Sequence, residues 1–241
     1  MLSTYNFKDN EMKRLKGILN TVLVGIICIC TYKLLDINTA YKKADKVYED
    51  IRVEKENIEQ ESFESTYEDY RGWIKINPTN INYPVLQGDD NLYYLDKDIN
   101  GEYLVAGSIF MHATNNGFDD QNTILFGHNM KNGTMFADLS KYKQKDFFYG
   151  NHPIDIETDN EQHLTYEVFS VYITEPNDNY IVPNFENKDE YKEFLEEIKN
   201  QSIYQSDIEI NEEDKIITLS TCASGFKDAR LVVHGKLMNK K

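Results

Sequence analysis

The chain has 241 residues, of which 40% are hydrophobic and 28% are charged, so it can bury one good core and a small appendage. Its formal net charge of −15 argues against nucleic acid as a partner, because phosphate backbones are bound by clustered Lys and Arg. Three cysteines, two of them only two positions apart near the N-terminus, exclude a disulfide framework.

The first predicted element is a membrane-spanning helix at residues 17–35. Lys13, Arg14 and Lys16 precede an apolar run that ends at Tyr32, and the apolar residues beyond it bring the length to the roughly 20 residues that cross a bilayer. Basic residues before the run keep the N-terminus in the cytoplasm and place the rest of the chain outside the cell. A cleaved signal peptide is the alternative, although no small-x-small cleavage site follows.

A strongly charged, helix-prone segment follows, with no Gly or Pro between residues 40 and 70. Val47, Ile51 and Ile58 give it a thin apolar stripe at positions i, i+4 and i+11. Either one or two amphipathic helices pack on the following domain, or the segment is a solvated spacer. The pattern leaves both interpretations open.

After Trp73 the pattern changes to short strands rich in Ile, Val, Tyr and Thr, separated by polar turns such as "NPTN" and "EPNDN". About eight such runs in some 170 residues predict a mainly β fold with flanking helices (α+β), built on a closed β-barrel. The runs are "WIKI", "NINYPVLQ", "VAGSIFMH", "NTILFGH", "HPIDIET", "LTYEVFSVYIT", "KIITLSTC" and "ARLVVHGKLM".

Two helices interrupt this pattern. "GTMFADLSKY" is short, whereas "NKDEYKEFLEEIKNQS" carries Tyr191, Phe194, Leu195 and Ile198 at helical spacing and is expected to cover one side of the barrel. The predicted organisation is a cytoplasmic N-terminus (1–16), a transmembrane signal-anchor (17–35), a juxtamembrane helical segment (36–70) and an extracellular barrel (71–241).

Cys222 is the one cysteine outside the N-terminal apolar segment, and it ends the strand "KIITLSTC". A thiol becomes a good nucleophile when a cation or an imidazole lies nearby. Arg230 opens the next strand, so an antiparallel pair joined by "ASGFKDA" returns it close to Cys222. Its N–H donors could then hold a carbonyl oxygen that becomes an oxyanion.

His128 is the best-placed histidine for acid–base chemistry, because it follows the strand "NTILFG" and Gly127 allows a sharp turn there. His234 lies within "LVVHGKL", where a packed structural imidazole is expected, and His112 is a weaker alternative. His152 and His163 are interpreted as turn and surface residues. The histidines show no metal-site spacing, so we expect no metal and no cofactor.

"TLSTC", the arginine eight residues later and "FGHNM" upstream together resemble the active-site signature of the sortases, specifically class B. The resemblance spans residues 70–238 and includes "GWIKINPTNINYPVLQGDDN", "GSIFM" and "NTILFGHNMKNGTMFADL". A helix between two late strands, at about 188–201, is similar to one in class B enzymes. In contrast to some members, which carry an acidic residue after the cysteine, this chain has Ala223.

The resemblance implies a cysteine transpeptidase on the outer face of a Gram-positive membrane. By this analogy Cys222 attacks the carbonyl carbon of a Thr in a sorting pentapeptide to give a thioester, while His128 transfers protons and Arg230 steadies the oxyanion. The implied partners are surface proteins with a C-terminal sorting motif and a peptidoglycan precursor or other amine acceptor, with the cytoplasmic membrane holding the N-terminal helix. The substrate-binding residues implied by the family are Ser220, Asn82, Leu86, Tyr180 and Ile181.

Two other functions compete with this one. A cysteine peptidase would share the chemistry up to the acyl-enzyme and then transfer the acyl group to water. A non-catalytic, membrane-tethered binding module would instead bury Cys222 in its core.

Overall fold

The computed structural model describes residues 2–57, 60–176 and 179–240, with the backbone alone for residues 2–13 and 60–62. The chain divides into two compact units, residues 1–43 and 44–241. The first unit is helical throughout its described part, and its apolar side chains from Leu15 to Ile37 are exposed. By length and composition, one helix near the N-terminus (Arg14–Asn57) is able to cross a membrane.

The second unit is built on a closed barrel of eight strands among its described residues, which confirms the predicted fold class. The order around the barrel is β1-β2-β3-β4-β7-β8-β6-β5, and the pairs β2–β3 and β4–β7 are parallel. The strands are β1 (Tyr70–Ile76), β2 (Asn82–Leu86), β3 (Ile109–Met111), β4 (Asn122–Phe126), β5 (Ile154–Thr158), β6 (His163–Thr174), β7 (Ile216–Cys222) and β8 (Arg230–Lys240).

Helices flank the barrel, and the last of them lies between two late strands as predicted. Apart from short 3-10 helices at Tyr93–Leu95 and Phe136–Lys143, the helices are α1 (Leu2–Asn57), α2 (Gln60–Thr66), α3 (Lys145–Phe148) and α4 (Lys188–Asn200). The Asn187 side chain caps α4 by accepting the Glu190 N–H at 3.0 Å. The four apolar residues predicted for its inner face are all buried, in a cluster that also holds Ile216 and Val232.

The part of α1 that belongs to the second unit packs on the barrel, so the spacer interpretation is wrong for residues 44–57. Ala44, Tyr48 and Ile51 are buried in the main core, with Val47 partly buried beside them. The predicted stripe is therefore confirmed at Ile51 and, partly buried, at Val47, and the buried face also includes Ala44 and Tyr48. Ile58 lies outside the described residues.

Lys55 fixes the end of α1 to the barrel. Its ammonium lies 2.9 Å from the Glu157 carboxylate and 5.6 to 5.9 Å from the ring centroids of Phe63, Tyr70 and Trp73. The helix is thus held by both burial and charge.

The barrel topology sets the position of the active-site candidates. Because β4 and β7 are parallel, with Phe126 opposite Ser220, both strands end at the same rim. The chain leaves β4 towards His128 there, and β7 ends there at Cys222. Two segments almost a hundred residues apart therefore meet.

Candidate active site

Cys222 is the last residue of β7, and its side chain is exposed although the six residues before it are buried. Arg230 opens β8 and pairs directly with Cys222 in the antiparallel β7–β8 hairpin, which confirms the predicted strand arrangement. The guanidinium Nη1 donates to the sulfur at 2.6 Å. The interpretation of Cys222 as a core thiol is wrong, since its sulfur lies at the surface beside a cation.

A tight loop at residues 223–229 produces this contact. The Ala223 N–H donates to the Ala229 carbonyl oxygen at 2.7 Å and closes the loop where the two strands separate. Gly225 and Asp228 adopt positive φ angles of 144° and 60°, which reverse the chain within a few residues. The reversal carries Arg230 back to the strand end that holds the thiol.

His128 lies beside Cys222 on the neighbouring segment. The Gly127 N–H donates to the Ser220 carbonyl at 3.3 Å, and the Thr221 hydroxyl donates to the Gly127 carbonyl at 2.7 Å. On the other side of His128, the Asn129 side-chain amide donates to the Cys222 carbonyl at 2.8 Å. These three bonds extend the β4–β7 pairing past the end of β4 and bring His128 to the level of the cysteine.

The imidazole of His128 is held by a backbone group. Its Nε2 lies 2.6 Å from the carbonyl oxygen of Leu95. A carbonyl oxygen can only accept, so Nε2 carries the proton and the neutral ring is the Nε2–H tautomer. The Leu95 carbonyl therefore sets both the orientation and the tautomer of the ring.

Gly127 is required for a reason other than the one expected from the sequence. Gly127 is not among the described glycines with positive φ, so a left-handed backbone does not explain why glycine stands here. A Cβ at this position would lie 2.4 Å from Ile109 Cδ1 and 2.8 Å from Phe136 Cδ2. The missing side chain lets the segment before His128 pack directly on the core.

Ser220 and Tyr180, both predicted to bind substrate, lie together beneath the rim. Their hydroxyl oxygens are 2.9 Å apart, and each residue is 2% exposed. Ile181 is half-buried beside them and packs against the cluster under α4. Ser220 lies on β7 two positions before Cys222, and Tyr180 lies in the loop that follows β6. The two residues therefore support the site from below. Direct contact with a substrate stays a prediction.

Asn82 and Leu86 lie on β2, which is separated from β7 by β3 and β4, so the structure does not bring them to Cys222. Leu86 is fully buried in the core. The Asn82 side-chain oxygen accepts the Trp73 indole N–H at 2.6 Å on the face covered by α1. Substrate binding by these two residues also stays a prediction.

Sequence reasoning missed Leu95 and the turn around it. Besides holding His128 through its carbonyl, Leu95 belongs to an exposed apolar group with Leu92, Tyr93 and Tyr103. The available signal was "NLYYL", a run of large apolar residues inside polar turn material, without the alternation of a strand.

His234 is a structural residue, as predicted. It is fully buried on β8, with its Nδ1 2.9 Å from the Thr218 hydroxyl and its Nε2 3.0 Å from the Tyr172 hydroxyl. Burial lowers the pKa of His234 to about 3. The ring therefore stays neutral at any pH near neutrality.

This burial predicts an acid-sensitive stability. Between pH 6.5 and 3 the unfolded state binds a proton at His234 that the folded state excludes, so stability falls as the pH falls through that window. The loss is about 2 kcal/mol of unfolding free energy between pH 7 and pH 5. His234→Gln keeps a polar side chain but cannot titrate. Urea unfolding of the detergent-solubilised chain at the two pH values should show a shallower pH dependence in the variant, and equal dependences would contradict the assignment.

The remaining histidines lie elsewhere. His112 follows β3 at the end away from His128, because Met111 pairs with Leu125. His152 stacks on Phe147 at 4.2 Å, and His163 is exposed at the start of β6. Over the part of the chain that the structure describes, His, Cys, Asp and Glu form no group of three or more that could hold a metal ion.

Acyl transfer needs three groups that this site contains. They are an exposed thiol, a guanidinium at hydrogen-bonding distance from it, and an imidazole on the adjoining segment. The sulfur can attack a carbonyl carbon, the Arg230 N–H groups can hold the oxygen that gains charge, and the imidazole can transfer protons. The arrangement fits chemistry at a carbonyl group through a covalent intermediate.

Comparisons with known proteins agree with this chemistry. The family model described as Sortase domain matches residues 74–238. Sortase B of Listeria monocytogenes is 42% identical over 175 residues, 71% of each chain, and sortase B of Staphylococcus aureus is 39% identical over 242 aligned residues, 95% of this chain and 98% of that protein.

Solved structures show the same likeness in three dimensions. Sortase B of Bacillus anthracis in complex with AAEK1 superposes with a TM-score of 0.76 at 36% identity, covering 83% of this chain and 99% of that one. The Staphylococcus aureus sortase B–substrate complex gives a TM-score of 0.74 at 36% identity, with 82% and 97% covered. A family match across most of the barrel, together with relatives similar along almost the whole chain, shows that this protein belongs to the sortase family and is a class B cysteine transpeptidase.

Proposed function

We propose that the protein cleaves a sorting-signal pentapeptide after its Thr and transfers the attached surface protein to an amine of the cell wall. The observation that carries the proposal is the pairing of an exposed Cys222 sulfur with the Arg230 guanidinium at 2.6 Å, beside His128. A solved relative, sortase B of Staphylococcus aureus, binds a substrate, which supports a peptide groove at this rim.

The reaction proceeds in two steps. The Cys222 thiol gives its proton to His128 as its sulfur attacks the Thr carbonyl carbon, and Arg230 N–H groups hold the oxyanion. The C–N bond breaks, the leaving amine takes a proton from His128, and a thioester remains on the sulfur. An incoming amine then attacks the thioester carbon and loses its proton to the imidazole. The C–S bond breaks, an amide forms, and the departing sulfur takes the proton from His128 to restore the thiol.

The acceptor is proposed to be an amine rather than water. A sortase B structure has been solved in complex with a glycine tripeptide, so triglycine is a suitable acceptor mimic. The test mixes the detergent-solubilised chain with a fluorescence-quenched library of Thr-containing pentapeptides, with and without triglycine. Ligated product that grows with triglycine concentration supports the proposal, whereas hydrolysis alone identifies a peptidase.

The chain is also proposed to be anchored through residues 17–35, with residues 1–16 in the cytoplasm, residues 36–70 next to the membrane and the catalytic barrel (71–241) outside the cell. The support is the apolar helix near the N-terminus and the basic residues Lys13, Arg14 and Lys16 that precede its apolar run. Cys222 is exposed and offers a reporter. A membrane-impermeant maleimide should label it in intact cells, and labelling that requires cell lysis would contradict this orientation.

A further inference from the structure

Tyr48 on α1 is buried between two backbone segments that both lead to His128. It is 3% exposed, and its ring packs edge-on against Tyr83 with centroids 5.1 Å apart and planes at 88°. Its hydroxyl donates to the Gly107 carbonyl oxygen and lies 3.1 Å from the Ser108 hydroxyl. Tyr48 thus fixes the backbone that leads into β3.

The first path runs from this backbone to the imidazole. A Cβ on Gly107, whose φ is +54°, would lie 2.3 Å from the Leu95 carbonyl oxygen, so the two segments are in direct contact. Ser108 makes two hydrogen bonds to the turn at residues 94–97. Its N–H donates to the Tyr94 carbonyl at 3.0 Å and its hydroxyl donates to the Lys97 carbonyl at 2.8 Å. The turn held in this way presents the Leu95 carbonyl to His128 Nε2 at 2.6 Å.

The second path runs through the ring of Tyr83. Its hydroxyl accepts the Met135 N–H at 3.1 Å, and the next N–H, that of Phe136, donates to the His128 carbonyl at 2.9 Å. The ring of Tyr48 supports Tyr83 from behind. One side chain of α1 is therefore connected both to the acceptor of the imidazole and to the backbone that carries it.

We propose that Tyr48 is a positioning residue for His128, acting by fixing residues 107–108 so that the Leu95 carbonyl holds the imidazole in its Nε2–H tautomer. The inference rests on the proposed acid–base role of His128. Burial raises the pKa of Tyr48 well above its usual range, so the phenol remains a donor throughout the working pH range. A proton-transfer group that is misplaced by a fraction of an ångström loses rate without losing substrate affinity.

The test is Tyr48→Phe in the full chain in detergent micelles, which removes the hydroxyl and keeps the ring. The matched control is Tyr191→Phe, since Tyr191 is also a buried phenol, donating to the Asp214 carbonyl at 2.8 Å near the far ends of β4 and β7. With the pentapeptide cleaved fastest in the library, Tyr48→Phe is expected to lower kcat roughly 10- to 100-fold with little change in KM. The control is expected to stay close to wild type.

NMR of the chain with selectively ¹⁵N-labelled histidine reports the tautomer of His128. A Tyr48 that served only the stability of the fold would leave this tautomer unchanged on substitution. The His128 signals, assigned with a His128→Ala variant, should report the Nε2–H tautomer in the wild type and the control, and a mixture of tautomers in Tyr48→Phe. Unchanged kcat and tautomer in Tyr48→Phe, or equal changes in the control, would overturn the inference.

If Tyr48→Phe does not fold, Ser108→Ala tests the same path, with a smaller loss of kcat and the same tautomer change expected. A wild-type chain that cleaves no peptide would defeat the proposed function, while the tautomer readout would still decide the role of Tyr48.

Discussion

Replacing Cys222 with alanine is expected to abolish peptide cleavage and transfer, with kcat/KM falling by roughly 10⁴-fold or more. The reason is that the covalent intermediate forms on the sulfur, whereas the imidazole transfers protons and the guanidinium holds charge, so neither role replaces the thiol. The measurement is turnover of the quenched pentapeptide with triglycine as acceptor.

The control for this variant is its stability. Cys222 is exposed, so its loss removes almost no buried surface, and the unfolding midpoint should stay within a few degrees of wild type. Cleavage at a rate near that of the wild type would show that the nucleophile lies elsewhere in the molecule.

Replacing Arg230 with lysine is expected to lower kcat by roughly 10²- to 10³-fold, the usual cost of losing an oxyanion donor. Lysine keeps the positive charge, but it lacks the planar fork that can contact the sulfur and a developing oxyanion together. Because the charge is retained, a loss of kcat measures the contribution of the guanidinium geometry, not that of the positive charge, at the 2.6 Å contact between Nη1 and the sulfur. Steady-state kinetics of peptide cleavage supply the comparison.

Lys227→Ala is the matched control, because Lys227 is exposed in the same loop and no described side-chain bond ties it to the site. Its kcat should stay within about twofold of wild type, the effect typical of a surface charge. Full activity in Arg230→Lys would mean that the site needs only a charge near the sulfur.

The barrel could be predicted because its signals are local. Strand runs and turn residues alternate along the chain, and α4 shows four apolar residues at helical spacing. The Cys222–Arg230 pairing could be predicted as well, since a short loop between two strands leaves an antiparallel hairpin as the simplest connection.

The support of His128 could not be predicted, because it depends on backbone groups. The Leu95 carbonyl has no sequence signature, and its position depends on a turn held by residues more than ten positions away. The close packing at Gly127 likewise depends on Ile109 and Phe136, which come from other elements. A motif match also gives no information on the order of strands around the barrel. Only the strand order shows that β3 and β4 separate the residues of β2 from β7, which carries Cys222.

The proposed mechanism requires a thioester on Cys222. Intact-mass spectrometry of the full-length chain, quenched in acid after mixing with the cleaved pentapeptide and no amine acceptor, tests it directly. We expect a mass increase equal to the N-terminal acyl fragment ending in Thr, located on Cys222. The increase should be lost on adding triglycine and prevented by prior alkylation with iodoacetamide. Cleavage that continues after Cys222 is alkylated, or an acyl fragment carried by another residue, would contradict it.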